Sequence, residues 1–395
     1  MNRSVLFVGF VLFVAMIGSN LPAPLYELYR VRFGASTFAI TVVFATYPLA
    51  LVATLIGFAR LPDAIGRRPT LALGIAAAAL GSIVFATATG IAALIVGRLF
   101  HAVAIGAIGA AGPPALVELD AAHDRRRAAL VATFALSLAC GVAPFASGVL
   151  AVTAPSPFVV PYLLHLALCA LAAISLAFVP ETRSAMGREP GVAPRLTGTA
   201  RRAFAGATLT SGIVWWLASL FVSILPAFVG TLLGARSPAL QGGLALIVFV
   251  VSPLAQTLGR GIPDRTAARA GLIGTVLALA ALLGAVPAHS LMLFALGAVV
   301  AGAAHGLGFL GAQSMVNHVS PPAARARLSA TFYAVTYVCI GLPILAVGAL
   351  TSLFGLYAAL CTVSAVAALA AVVLAAALPA AVPSSGEQAQ TLRSG

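Results

Sequence analysis

The sequence predicts an all-α integral membrane protein with 12 transmembrane helices, arranged as two pseudo-symmetric six-helix bundles in a parallel repeat. Three observations predict it. Apolar runs of spanning length fill the chain, its sparse charge gathers between those runs, and landmarks of the first half recur in the second. Of 395 residues 61% are hydrophobic and only 8% charged, more apolar surface than one water-soluble core can bury, so lipid must be the solvent. The runs are continuous rather than alternating, which excludes a β-barrel.

A helix needs roughly 20 apolar residues to cross the hydrocarbon layer. Runs of that length predict spans over 4–29, 36–59, 70–88, 91–116, 128–152 and 158–179, then 204–232, 239–259, 270–287, 290–316, 328–350 and 354–378. The first run continues past Pro22 and Pro24 with no small-residue cleavage site and is read as a span, not a signal peptide. The stretch from Glu181 to Arg202 is polar, carries Pro, Gly and Arg, and has no apolar period. The expected organisation is a first bundle at 1–180, a cytoplasmic linker at 181–203, a second bundle at 204–379 and a disordered cytoplasmic tail at 380–395.

The net charge of +13 comes from 22 basic residues, all of them arginine. All but Arg30, Arg32, Arg98 and Arg236 fall in the tails and in loops on one side of the predicted spans. By the positive-inside rule that side is cytoplasmic and holds both termini, which places the protein in a cell membrane in the manner of a bacterial inner-membrane protein. The basic balance therefore reports orientation, and no nucleic-acid partner is expected. Cys140, Cys169, Cys339 and Cys361 all sit in apolar runs without metal or disulfide spacing. No cofactor or metal is expected.

The halves repeat at an offset of about 200 residues. Leu61-Pro62-Asp63 recurs as Ile262-Pro263-Asp264, and Ala132-Thr133-Phe134 as Ala330-Thr331-Phe332. Cys140 with Pro144 matches Cys339 with Pro343, and His101 matches His305. Six spans per unit give both copies one orientation, the parallel arrangement of two-domain rocking transporters.

The segment from Ala59 to Arg68, ARLPDAIGRR, resembles the major facilitator superfamily signature G-x-L-x-D-R-x-G-R-R, with Ala59 in place of its glycine and Ala64 of a basic residue. The resemblance implies that this loop, with Asp63, Gly66, Arg67 and Arg68 and their repeat partners Asp264 and Arg265, gates the cytoplasmic face. Arg98-Leu99-Phe100-His101-Ala102 is similar to the family's R-x-x-Q-G. Gly141, Pro144 and Gly148 match the antiporter motif G-x-x-G-P-x-x-x-G of span five, with Ala143 at its second glycine. Val179-Pro180-Glu181-Thr182 is similar to the common close of span six. The architecture covers the full chain and feels closest to the 12-span drug:proton antiporter branch.

The membrane interior holds little charge. Glu27, near the outer end of span one, shares a helical stripe with Met16 and Asn20; it is either an interior acid or a wet residue at the mouth. Arg98 within span four would cost about 2.5 kcal/mol or more if central, so it faces protein or water. It either serves function or anchors the carbonyls of span one, and His101 lies one turn further in. Thr208, Ser211, Trp215, Ser219 and Ser223 form a stripe on span seven, and His305, Gln313 and Asn317 on span ten. Such stripes are either interhelical glue or, as the family implies, the wall of a central cavity of spans one, four, seven and ten. Asn20, Arg98, His101, Ser211, Trp215, His305, Gln313 and Tyr337 are the candidate cavity residues, with Trp216 and Tyr333 weaker.

These residues point to secondary active transport by alternating access, with a small amphipathic or hydrophobic solute moved outward against protons. Glu27, Arg98 and His101 are the candidate proton relay. The basic interior favours neutral or anionic solutes. There is no G-x-x-x-x-G-K-[ST] loop and no lysine for ATP-driven transport. A metabolite importer or passive facilitator is the rival within transport. A membrane-embedded acyl or glycosyl transferase would need clustered His, Asp or Glu, and a sensor would need a folded signalling domain for which the tails leave little room. The expected partners are the solute, protons and the lipid bilayer, and the expected state is monomeric.

Overall fold

The structure is a computed structural model and describes residues 2–120, 125–182, 196, 198–224, 229–230, 232–234, 237–321 and 324–379. Among them, 12 helices are long and apolar enough to cross a membrane. They are α1 (Arg3–Arg32), α2 (Thr37–Gly57), α3 (Arg67–Ala86), α4 (Ile91–Leu119), α5 (Arg125–Thr153) and α6 (Val160–Ala177). The second set is α7 (Gly198–Ser223), α8 (Pro238–Leu258), α9 (Asp264–Gly284), α10 (Leu291–Val319), α11 (Arg325–Phe354) and α12 (Leu356–Ala377). The helical class and the number of spans are as the sequence predicts. Residues 183–195 of the expected linker and the 380–395 tail lie outside the described residues.

Several helices begin before their apolar run does. Helix α7 starts at Gly198 and α9 at Asp264, because hydropathy marks the part in lipid while helical hydrogen bonding continues through the polar turn outside it. Side chains cap other starts. Asn2 accepts from the Ser4 N–H at 3.2 Å, Ser36 from Ala39 at 3.1 Å and Ser290 from Leu293 at 3.1 Å.

Helix α1 is broken where a single span is predicted. Its regular part ends at Asn20, a 3-10 turn covers Ala23–Leu25, and helix resumes at Tyr26–Arg32. Pro22 and Pro24 cause the break. Neither has a backbone N–H, so the carbonyls of Gly18 and Asn20 lose their donors four residues on. The irregular turn also leaves the carbonyls of Ser19 and Leu21 without a helical backbone donor, the Leu25 N–H going to the Pro22 carbonyl at 3.0 Å instead. Carbonyls left open in lipid must find donors inside the protein.

By proximity the residues fall into two compact units. The first comprises the described residues within 1–187, 220–250 and 344–359, and the second those within 188–219, 251–343 and 360–395. Within the first, backbone meets backbone between α5 and the start of α8. A β-carbon at Gly148 would run into the Pro238 carbonyl, and one at Gly242 into the Pro144 carbonyl. Gly141 faces Leu246 and Phe249 in the same seam. Glycines of the span-five motif thus let two helices approach as closely as helices can. In the second unit Gly271 meets the backbone of Gly308, bringing α9 onto α10. Ala203, Ala268, Leu272, Met315 and Phe332 complete its apolar core.

The α5 to α8 seam generates a matched test. Gly242→Ala should lower stability by about 1–3 kcal/mol through overpacking. Gly243→Ala should not, since a β-carbon there meets only the Phe145 ring at 3.9 Å. Thermal unfolding in lipid nanodiscs measures both, and equal midpoints would contradict the seam.

Candidate functional site

The centre of the first unit is a buried guanidinium. Arg98 enters from α4, is 1% exposed, and donates from Nη1 to the Ser19 carbonyl of α1 at 2.6 Å. A longer contact runs from Nη2 to the Phe44 carbonyl of α2 at 3.4 Å. The cation lies 4.5 Å from the Tyr47 ring centroid and 5.5 Å from that of Phe44, where ring quadrupoles offset part of the lost hydration. Its Nε and the hydroxyl of neighbouring α1 residue Tyr26 are buried without a hydrogen-bond partner. Ser147, inside the span-five motif, repairs the other side of the α1 break by donating to the Leu21 carbonyl at 2.8 Å.

Glu27 does not join Arg98. Its carboxylate accepts from Arg30 Nε at 2.8 Å and Nη2 at 2.7 Å, and the two side chains are 27% and 33% exposed. A pair that wet contributes little to stability. His101 does not join Arg98 by a hydrogen bond either. It turns to α3, stacks on Phe85 with centroids 5.3 Å apart, and neither ring nitrogen has a partner. The relay of Glu27, Arg98 and His101 is therefore not assembled in this arrangement. Asn20 donates to the Met16 carbonyl at 3.0 Å and lies 3.8 Å from Cys140 Sγ.

The second-half candidates gather in the second unit. Ser211 on α7 shares a hydrogen bond with Thr336 on α11 at 2.9 Å. Trp215 meets the His305 ring edge-on at 4.4 Å, and His305 Nδ1 lies 2.7 Å from Ser252 Oγ on α8. Gln313 donates to the Tyr333 hydroxyl at 3.2 Å. Tyr337 is half-buried on α11. These side chains are tied within their own unit, Ser211 by its hydrogen bond to Thr336 and Trp215 by its edge-on contact with the His305 ring.

At the arginine-rich end, a one-turn helix at Leu61–Ile65 and Gly66 at φ 102° start α3. The positive φ suits glycine, and a β-carbon there would also come within 2.6 Å of Glu181 Oε2. The Glu181 carboxylate accepts the backbone N–H groups of Arg67 at 2.8 Å and Arg68 at 3.2 Å, which places an anion on the helix N-terminus where the dipole favours one. Arg67 bridges Asp63 at 3.0 Å and Glu118 at 3.5 Å. In the repeat, Asp264 meets His318 of α10 at 2.8 Å, while Arg265 donates to the Leu378 carbonyl at 3.0 Å. Both loops thus tie helix ends within their own unit.

Residues 8–290 match the family model of the Major Facilitator Superfamily. The chain belongs to that superfamily. Solved structures share its fold at low identity. A POT family transporter in complex with a thioalcohol-conjugated peptide is 13% identical, with 94% of each chain covered and a TM-score of 0.77. The inward-open xylose transporter XylE from E. coli is 12% identical, with 95% of each covered and a TM-score of 0.77. A bacterial homolog of the human lysosomal transporter Spinster, inward-facing and occupied, is 15% identical, with 95% of this chain and 93% of that one covered and a TM-score of 0.69. No curated protein matches the sequence. Membership of the Major Facilitator Superfamily makes this chain a multi-pass membrane transporter rather than an enzyme.

Against the superfamily's span-four motif, the structure gives Arg98 a definite partner, the carbonyl freed by the α1 break. Sequence reasoning does not single out Ser147, Glu118, His318 or His165. Ser147 stands at an unspecified position of a motif already read, and the partner of Glu181 is 114 residues away. His165 carries one signal, an imidazole inside a membrane span.

Arg98→Ala orphans the Ser19 carbonyl and should destabilise the folded transporter by about 1–3 kcal/mol, with Ser147→Ala at about 1 kcal/mol. The two should add within about 0.5 kcal/mol if each serves its own carbonyl. Thermal unfolding of the single and double variants in nanodiscs measures this, and an Arg98→Ala midpoint equal to wild type would contradict the anchor.

Proposed function

We propose that the chain is a secondary active transporter that works by alternating access and exports a small amphipathic or hydrophobic solute, neutral or anionic, in exchange for protons. The observation that carries this reading is Arg98, a buried cation with no carboxylate partner among the described residues and an unpartnered Nε. A buried charge without a counter-charge costs several kcal/mol, and a transported anion or a polarised neutral group lowers that cost while it is bound. A lipophilic cation raises it. Asn20 and Arg98 in the first unit, and Ser211, Trp215, His305, Gln313 and Tyr337 in the second, are the proposed solute-contacting residues of a monomeric transporter. The arginine-rich end is cytoplasmic, so Asp63, Gly66, Arg67, Arg68, Asp264 and Arg265 belong to the inner gate. The solved structures of a peptide-bound and a xylose transporter support an organic solute on this scaffold.

One observation favours a second reading, a facilitator without proton coupling: Glu27, the acid nearest the interior, is occupied by Arg30. Proteoliposomes separate the two. With carboxyfluorescein as anionic probe and rhodamine 6G as cationic probe, efflux of the anion should quicken at least about tenfold when the outside is acidified, a gain of 1.4 kcal/mol per decade. Anion efflux indifferent to the gradient supports the facilitator. Efflux of rhodamine 6G alone overturns the charge preference, and failure of both dyes to move with the protein overturns the reading of the solute.

A further inference from the structure

His165 belongs to no motif, yet the structure builds a site around it. Its imidazole enters from α6 and is 1% exposed. Nε2 lies 2.9 Å from the Val14 carbonyl of α1, and Nδ1 lies 2.6 Å from Ser82 Oγ of α3. A carbonyl only accepts, so Nε2 carries the hydrogen, and in the neutral ring Nδ1 accepts from the Ser82 hydroxyl. Helix α1 reaches the ring because of Gly18, where a β-carbon would stand 2.5 Å from His165 Cε1.

We propose that His165 is the proton-binding site of this transporter and that its charge sets how firmly the first bundle grips α1. Its part in transport rests on the proton-coupled reading above; the grip itself does not.

A proton carrier inside a membrane needs hydrogen-bond partners in both of its states, because an unmet polar group there is costly. His165 has them. When a proton arrives at Nδ1, that nitrogen donates to Ser82 Oγ, and the serine hydrogen turns to a carbonyl one turn back on its own helix. The Nε2–H stays on the Val14 carbonyl as a charge-assisted bond, roughly twice as strong as before. One proton is gained as one new N–H bond at Nδ1; no other covalent bond changes, and the Ser82 hydrogen bond reverses direction.

The other candidates lack this pairing. His101 has no acceptor for either nitrogen and lies within electrostatic reach of both Arg98 and His165. Glu27 is held by Arg30. Around His165, α3 offers Ser82 and no titratable group within the membrane, and α1 offers Tyr26 and Tyr29. Helix α5 brings Cys140, already bonded by Asn20, and α4 brings Arg98 and His101. On α6 itself stand Tyr162 and Cys169, whose sulfur is 3.6 Å from Nε2.

The grip has a mechanical consequence. Helix α1 is held at two carbonyls on the same side of its break, at Ser19 by a permanent cation and at Val14 by a titrating one. Loading or unloading one proton changes the second hold and leaves the first.

Peptide-level hydrogen exchange across residues 8–21, on the full-length protein in nanodiscs from pH 5 to 8 and corrected for intrinsic rates, reads the grip without any solute. In wild type, exchange should slow about fivefold on acidification, the effect of one strengthened hydrogen bond. His165→Gln keeps a donor for Val14 and does not titrate, so its profile should be flat, while His101→Gln should respond like wild type. Ser82→Ala, which keeps the imidazole, should move the midpoint. A flat wild-type profile, a response that survives in His165→Gln, or an unmoved midpoint in Ser82→Ala overturns the proposal. Dye efflux indifferent to a pH gradient, with exchange still titrating through His165, removes the coupling reading and leaves the grip. Coupled efflux with pH-flat exchange removes the grip alone.

Discussion

The bond from Arg98 to the Ser19 carbonyl is the interaction on which the first bundle turns. In water a helix can break at two prolines and leave its carbonyls to solvent. In hydrocarbon each open carbonyl needs a donor, and here Arg98 from α4 and Ser147 from α5 provide them. The same contact solves the problem of the arginine, since a cation in a span is tolerated only where protein dipoles or water surround it. Neither feature is stable alone: the broken helix requires the donor and the buried guanidinium requires the carbonyl. The first helix is thereby fastened to its neighbours at the point where it can bend.

The duplication supplies the scaffold, and departures from it supply the chemistry. Both halves use glycine where helices touch, as Gly81 beneath His101 and Gly271 against Gly308 show. Counting from the matched His101 and His305, Gly302 stands where Arg98 stands in the first half. The buried cation and the paired imidazole of His165 therefore lie in one repeat, while the second offers the aromatic series of Trp215, His305, Phe309, Phe332 and Tyr333.

Much of this is legible before any coordinates. The spans follow from hydropathy because lipid imposes length and composition directly, and the 12 helices stand where the apolar runs predict them. The interior placement of Arg98 is legible from the same constraint, since a cation there must have a reason. That it anchors a carbonyl of span one is one of the two readings the sequence leaves open, and the structure shows that anchor at Ser19. Which carbonyl is not legible, because Ser19 contributes only its backbone, and every residue has one. Pro22 and Pro24 mark the α1 break in the sequence, but apolar continuity across them masks it. The link between Ser82 and His165 joins residues 83 apart with no periodicity to connect them, so packing alone reveals it. The nearer contacts of Glu27, an ion pair three residues along one helix, lie within the reach of sequence patterning but compete there with the stripe it shares with Asn20.

The central proposal is that Asn20 on α1 is reached from each side of the membrane in turn. The most direct measurement replaces Cys140, Cys169, Cys339 and Cys361 with alanine, introduces Asn20→Cys, and follows its labelling by a membrane-impermeant thiol reagent in right-side-out and inverted vesicles. The account predicts labelling from both sides. Labelling from one side only, or from neither, would contradict it.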